Sequence, residues 1–468
     1  MSDHIRLGRG CRTDRVPSMT DGPGLPPEAR ARVLIDRHLS EAGWAVQDAT
    51  TRNLFASTGV AVREVVLSPG HGRVDYLLYI DQKVVGVIEA KPQGTTLSGV
   101  EWQSAMYATG LPDEYRRRAV LVDGRIPFVF EASGSETHFT NGFDPEPRAR
   151  RIWQFPRPET LARTLRDADA AQVGDAANPT WRGKVRHLPP LIEEGLRPAQ
   201  KTAIRGIERS LAEQRFDRSL VQMATGAGKT FTAVTLAYRL LKWGGFSRIL
   251  FLVDRNNLAD QTKAEFLNYT LPDDGRRFAE VYNVDKLTGA GMLASSNVVI
   301  STIQRVYSVL HSTDVPDTDD PELDDFVPGE PVTIAYNALM PPETFDLVIM
   351  DEAHRSIYGV WRPLFDYFDA HVMGLTATPG RQTFAFFRQN LVSEYTYPQS
   401  VADGVNVDFD IYRIRTQISE QGATIESGTV VPKVDRRTRV TRYEALEDDV
   451  DYSRDSSTAR SQTRQRSG

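Results

Sequence analysis

Cysteine is almost missing: Cys11 is the single one in 468 residues. Without a second thiol there is no disulfide framework and no Cys-rich zinc site, which fits a reducing cytoplasm. Long apolar runs are missing as well. No stretch approaches the roughly 20 residues needed to span a bilayer, so no membrane partner is expected. The N-terminal "MSDHIRLGRGCRTDR" is charged and has no apolar signal core. Neither sign of charge dominates, since 56 Lys and Arg stand against 62 Asp and Glu for a net −6. That balance gives no support by itself to nucleic-acid binding, which depends on local stripes rather than totals. What is present is an ordinary globular mix, 40% hydrophobic and 25% charged, long enough for roughly two to four domains with real cores.

Punctuation divides the chain. Residues 1–27 are rich in Gly, Pro and Arg and read as a disordered leader. From residue 28 to 140 a helix ("EARARVLIDRHLSEAGW") precedes strand-like "VREVVL", "RVDYLLYI" and "VVGVIEA". A helix-like "SGVEWQSAMYATGL" and strands "RAVLVDG" and "PFVFEAS" follow, which together make an α/β unit. Residues 141–195, polar and rich in Arg and Pro, read as a linker with one helix. Between 196 and 415 continuous apolar strands alternate with helices, as in a parallel sheet covered on both faces. Residues 416–468 read as a connection with a polar tail.

The strongest motif is "VQMATGAGKTFTAV" at 221–234. A triphosphate needs close backbone N–H donors, a helix N-terminus and a cation. Thr225, Gly226, Ala227, Gly228 and Lys229, with a helix starting near Thr230, supply them, and the Thr230 hydroxyl suits magnesium. Met223 stands where the strict pattern has its first glycine. Downstream, "FDLVIMDEAH" runs an apolar strand into Asp351 and Glu352, placed to hold the metal shell and to orient and deprotonate the attacking water. "LRPAQ" at 196–200 and "GLTATP" at 374–379 complete a set of four stretches.

Together these stretches resemble the first motor lobe of the second helicase superfamily, in its DEAD/DEAH-box branch, over about Leu196 to Arg415. The resemblance implies a RecA-like P-loop domain using ATP and Mg2+. In it Gln200 would read the adenine edge with Arg197 nearby, Lys229 and Thr230 would bind triphosphate and magnesium, and Asp351 and Glu352 would run hydrolysis. Thr376 and Thr378 would couple hydrolysis to movement.

A second cluster lies upstream in "RVDYLLYIDQKVVGVIEAKPQG". It reads as a hairpin turning near Asp81-Gln82, with Glu89 and Lys91 two apart on one strand face and Asp75 able to lie beside them. Two carboxylates form a hard-oxygen magnesium site, and the lysine can orient water or neutralise developing charge. Acid-x-lysine triplets are common on solvated hairpins, but here the triplet follows "VVGVI", a run expected in a buried central strand, where charge is costly unless used. Gln103 and Tyr107 share a face of the next helix. The pattern resembles the restriction-endonuclease-like PD-(D/E)xK nucleases, in the branch fused to helicases. Nuclease, linker and DEAH lobe in that order, with "HRSIYGVWRPLFDYFDAHVMGLTATP", resemble the restriction subunit of a type I restriction enzyme.

That resemblance implies an ATP-dependent double-stranded DNA translocase with magnesium-dependent cleavage, acting in the cytoplasm in phage defence with methyltransferase and specificity subunits. A stand-alone helicase-nuclease of DNA repair is the alternative enzyme. After residue 416 no strand–helix alternation is expected, so the second motor lobe is expected to be missing from this chain, which leaves a nucleotide- and DNA-binding fragment as the non-motor alternative.

Overall fold

The computed structural model describes residues 26–95, 97, 101–171, 178–213, 215–311, 330–356, 359–409, 423–427, 429–434, 441–445 and 450–452. Two compact units result, residues 1–406 and 407–468.

The first unit holds two seven-stranded sheets. In the first, β1 (Ala45–Asp48), β2 (Gly59–Val66), β3 (Arg73–Ile80), β4 (Lys83–Ala90), β5 (Phe128–Ala132), β6 (Thr137–Asn141) and β7 (Arg150–Ile152) lie in sequence order. β1–β2 and β4–β5 pair in parallel and the others antiparallel. The β3–β4 hairpin turns at Asp81 and Gln82, both with positive φ (45° and 67°), as a two-residue primed turn requires. Helices α1 (Pro27–Glu41), α2 (Glu101–Gly110) and α3 (Pro158–Ala171) cover this sheet. Ile35 and Leu39 of α1 and Leu161 of α3 pack with Tyr76, Leu78, Ile88 and Phe130 on one face. Tyr107 and Ala108 of α2 join Leu77, Tyr79, Val87 and Val129 on the other. Period-two alternation thus sends neighbouring side chains of one strand into two cores.

Two expectations differ from this architecture. "RAVLVDG" makes only the isolated bridges Val84↔Ala119 and Val122↔Arg125, because Asp123 and Gly124 take positive φ and turn the chain. The stretch from 141 to 195, expected as linker, contributes β7 to the first sheet and α3, Ile152 and Phe155 to its core.

The second sheet has the order β10-β11-β9-β12-β13-β8-β14, every pair parallel. Its strands are β8 (Arg218–Met223), β9 (Ile249–Val253), β10 (Val284–Lys286), β11 (Val298–Thr302), β12 (Leu347–Met350), β13 (His371–Thr376) and β14 (Leu391–Tyr395). Helices α4 (Pro198–Glu213), α5 (Lys229–Lys242) and α6 (Asn256–Asn268) cover one face over Val221, Phe251 and Ile349. On the other face α7 (Ile303–His311) and the segment around Trp361 and Phe365 cover Leu220, Leu250 and Val348. Parallel strands buried on both faces must be apolar throughout, and "LVIM" of β12 is buried at every position.

The sheets are joined by a built contact. One oxygen of Glu343 accepts from the Arg157 backbone (2.9 Å), Arg157 Nε (3.2 Å) and the Thr160 hydroxyl (3.0 Å). Arg150 pairs with Asp369, and Trp153 packs edge-on against Tyr367 with centroids 4.8 Å apart. The arginines of "RARRIWQFPR" are accordingly spent on acids of this chain: Arg148 on Glu146, Arg151 on Glu136, and the two above on the joint. In the second unit, β15 (Ala423–Ile425) pairs antiparallel with β18 (Val450–Tyr452), and β16 (Val430–Val434) with β17 (Thr441–Ala445).

Candidate functional sites

At the carboxyl end of β8 the chain turns through residues 224–228 into α5. Gly226 and Gly228 have φ of +79° and +88°, a region in which a side chain costs about 1–2 kcal/mol. A Cβ on Gly228 would also lie 2.3 Å from Gln200 Nε2. Both glycines are therefore required by the loop itself. Ala227 is buried and anchors the turn in the core, while Thr225 is exposed at its crest. Thr230 is half-buried in the first turn of α5.

Three side chains converge on this loop from elsewhere. Gln200, buried in α4, donates to the Gly228 carbonyl at 3.3 Å and accepts from the Arg197 backbone at 2.9 Å. The exposed Arg197 guanidinium donates to the Gly226 carbonyl at 3.2 Å. Asn406 donates to the Thr225 carbonyl at 2.9 Å and to Ser400 Oγ at 2.8 Å. Nothing local in the sequence marks Asn406, 181 residues from its partner.

β12 ends beside this loop. Lys229 Nζ donates to Glu352 at 2.7 Å, with the lysine side chain only 10% exposed and the glutamate 28%. Glu352 is held in the left-handed region (φ +46°) by its own N–H donating to Asp351 Oδ1 at 2.9 Å, a strained backbone of the kind found at functional sites. Burial pushes the Asp351 carboxyl up, Lys229 pulls it down, and Glu352 adds to the rise. Asp351 is thus a half-buried acid at a strand end, able to hold a magnesium ion together with the Thr230 hydroxyl and phosphates. His354 Nδ1 lies 2.9 Å from the buried Thr376 hydroxyl and 3.4 Å from Glu352. Thr376 Oγ1 in turn accepts the Thr378 backbone N–H at 3.2 Å. Glu352 and the "TAT" strand end are therefore linked through one imidazole. Of "HRSIY", residues 357 and 358 lie outside the described residues.

The second cluster sits at the ends of β3 and β4. Asp75 Oδ2 accepts the Ala90 backbone N–H at 2.9 Å, and Glu89 accepts from Lys91 Nζ at 3.0 Å and from the Tyr107 hydroxyl. The structure brings Asp75, Glu89, Lys91 and Tyr107 together. The Gln103 backbone belongs to α2, and its side chain lies outside the described residues. Burial, followed by the bond to Glu89, pushes the Tyr107 phenol up, so it remains a donor.

Two residues here escaped sequence reasoning. Arg32 of α1 pairs with Asp75 Oδ1 at 2.6 Å. Glu131, aligned with Glu89 across the parallel β4–β5 pair, is 3% exposed, and its Oε2 has no hydrogen-bond partner. Burial raises its carboxyl, Lys91 lowers it and Glu89 raises it. Cross-strand register, which no local pattern displays, puts it there. Among the described residues no group of three or more His, Cys, Asp or Glu side chains is drawn together as a metal site. Magnesium does not require one, since it keeps several waters and is bound through one or two carboxylates plus phosphates, and Asp75 and Glu89 supply two carboxylates here.

Comparison with known proteins finds matches across both sheets. Residues 193–381 match the family model described as "Type III restriction enzyme, res subunit". The endonuclease subunit of the type I restriction enzyme EcoKI from Escherichia coli K12 is 25% identical over 91% of this chain and 39% of its own length. That of EcoAI from Escherichia coli is 30% identical over 44% of this chain and 22% of its own. The chain thus spans well under half the length of these relatives. A solved fragment of an HsdR-type subunit from Vibrio vulnificus is 22% identical, with a TM-score of 0.31 over 81% of this chain and 61% of that one. No described helix is long and apolar enough to cross a membrane. Residues 193–381 match the res-subunit model of type III restriction enzymes, and nearly the whole chain is similar to the endonuclease subunit of a type I restriction enzyme.

Proposed function

We propose that this chain is the nuclease and first motor lobe of a type I restriction subunit, which pulls double-stranded DNA at the expense of ATP and cuts it with magnesium. The observation that carries the reading is the presence, in one compact unit, of two separate sites built at strand ends: Lys229–Glu352 with Asp351, and Asp75–Glu89–Lys91. Similarity to type I endonuclease subunits on both sides of residue 193 supports it.

At the first site the loop amides and Lys229 would grip the triphosphate, Asp351 and Thr230 would hold its metal, and Glu352 would accept a proton from water. Lys229 must leave Glu352 to reach phosphate, which frees the carboxylate to act as base. Gln200, already on the loop, carries adenine recognition, and His354 passes the state of Glu352 to Thr376 and Thr378. At the second site bound magnesium would polarise the scissile phosphodiester and acidify a water. Asp75 and Glu89 would hold that ion. Tyr107 fixes Glu89 from the helix side, and Lys91, tied to Glu89, faces the developing charge. The complex would include double-stranded DNA with methyltransferase and specificity subunits.

In a complex assembled with those subunits, Glu89→Ala or Lys91→Ala is expected to abolish DNA cutting while ATP hydrolysis continues, and Lys229→Ala to abolish both. Loss of ATP hydrolysis in the two upstream variants would sink the two-site reading.

A further inference from the structure

Resting on the reading of Asp75 and Glu89 as a divalent-cation site, we propose that Arg32 is the resident cation of that site, held on Asp75 until a divalent ion displaces it. Asp75 has two oxygens and both are engaged. One takes the Ala90 backbone N–H at 2.9 Å and is fixed to β4; the other takes Arg32 Nη2 at 2.6 Å. The oxygen not fixed to β4 is the one the guanidinium holds, and a metal taking that oxygen displaces it. Two cations cannot share it, because like charges at that separation repel strongly in a partly buried site.

Arg32 is built to be exchanged rather than to staple the helix. Its Nη1 is tied at 2.8 Å to Glu64. Glu64 has φ +53° and lies opposite Asp75, between Arg63↔Tyr76 and Val65↔Val74, in a β2–β3 register that runs on without a shift. That position puts a second acid within reach of the guanidinium that holds Asp75. Arg32 Nε is buried and has no hydrogen-bond partner, so holding both acids leaves one donor unsatisfied, an arrangement that weakens the hold. The docking of α1 does not depend on it. Four residues on, Asp36 accepts from the Tyr76 hydroxyl at 2.8 Å and pairs with Arg63 at 2.9 Å. Burial works against the charge on Arg32, but Asp75 and Glu64 more than restore it.

Displacement also has a product. The Arg32 side chain is already 30% exposed while it holds both acids, so a guanidinium released from Asp75 but still tied to Glu64 would offer its fork of donors to a DNA phosphate. Metal loading and the presentation of a phosphate-binding group are then a single exchange.

The test uses the full chain without DNA or nucleotide and Mn2+ as probe, followed by calorimetry and by electron paramagnetic resonance at fixed ionic strength. Arg32→Ala is expected to bind Mn2+ about three- to tenfold tighter than the unaltered chain, as loss of a half-exposed charged hydrogen bond predicts. Arg32→Lys is expected between the two, and Asp75→Asn to remove this binding in either background. Glu64→Gln, which leaves Arg32 in place and loosens only its second anchor, is expected to tighten binding about twofold by the same reasoning. Equal or weaker binding in both Arg32→Ala and Glu64→Gln, with Asp75→Asn still abolishing it, overturns the role of Arg32 and leaves the cation site standing. Mn2+ binding indifferent to Asp75→Asn overturns the site itself.

Discussion

Glu352→Gln should bind Mg-ATP more tightly than the unaltered chain, in the direction opposite to Lys229→Ala. The reason is that Lys229 cannot grip a triphosphate without giving up its 2.7 Å bond to Glu352. Exposed ion pairs contribute about 0–1 kcal/mol and hydrogen bonds to charged groups about 1.5–3. With the lysine 10% and the glutamate 28% exposed, this pair falls between, at roughly 1.5 kcal/mol. Glutamine keeps a neutral acceptor, so the variant recovers only the ionic part, about 1 kcal/mol or about fivefold in affinity. A second effect has the same sign: Glu352 is one of the charges that raise Asp351, and neutralising it makes Asp351 a better metal ligand. Hydrolysis should fall by a factor on the order of a hundred or more, because the water loses its base. Titrating a fluorescent ATP analogue onto the full chain at constant Mg2+ and ionic strength measures the binding arm. Affinity equal to or below that of the unaltered chain would refute the partner exchange.

Gly228→Ala should weaken ATP binding at least tenfold, since the new Cβ meets Gln200 at 2.3 Å in a left-handed backbone that alone costs about 1–2 kcal/mol; calorimetric titration reads the loss. Glu343→Ala should cost about 2 kcal/mol, by removing a buried carboxylate that accepts three hydrogen bonds, and should split a single thermal transition into two in scanning calorimetry. Fully buried His371 is held neutral down to about pH 3 against an ordinary value of 6.5. Its folded pKa is depressed, so the stability is complete above pH 6.5 and is lost as pH falls toward 3, at about 1.4 kcal/mol per unit. His371→Gln should therefore flatten the acid limb of a denaturant-melt series by about 2 kcal/mol between pH 6.5 and 5.

The parts legible in the sequence are those that chemistry forces into a local pattern. A tight strand-to-helix turn demands Gly226 and Gly228 next to Lys229, and burial on both faces demands "LVIM" before Asp351. The two-residue turn at Asp81-Gln82 and the spacing of Glu89 and Lys91 are local as well. Contacts set by register or by long loops were not legible. Arg32 meets Asp75 across 43 residues, Glu131 meets Glu89 through the alignment of β5 on β4, and Asn406 meets Thr225 across 181. The edge of the first domain was misplaced for a related reason. β7 is three residues long and owes its place to pairing with β6 rather than to any apolar run of its own.

The joint through Glu343, Arg150 and Trp153 separates two kinds of machine. A cutter on a flexible leash samples a cloud of positions, and the spread of its cuts reports the length of the leash. A cutter bolted to the lobe that holds the nucleotide has no such cloud. In the proposed function every scission then falls at one fixed contour distance from the motor's grip on the duplex, and any scatter in cut positions records where the DNA stopped moving. Arg150 and Arg157 make that bolt, and on the proposed function it would turn a tethered blade into a ruler.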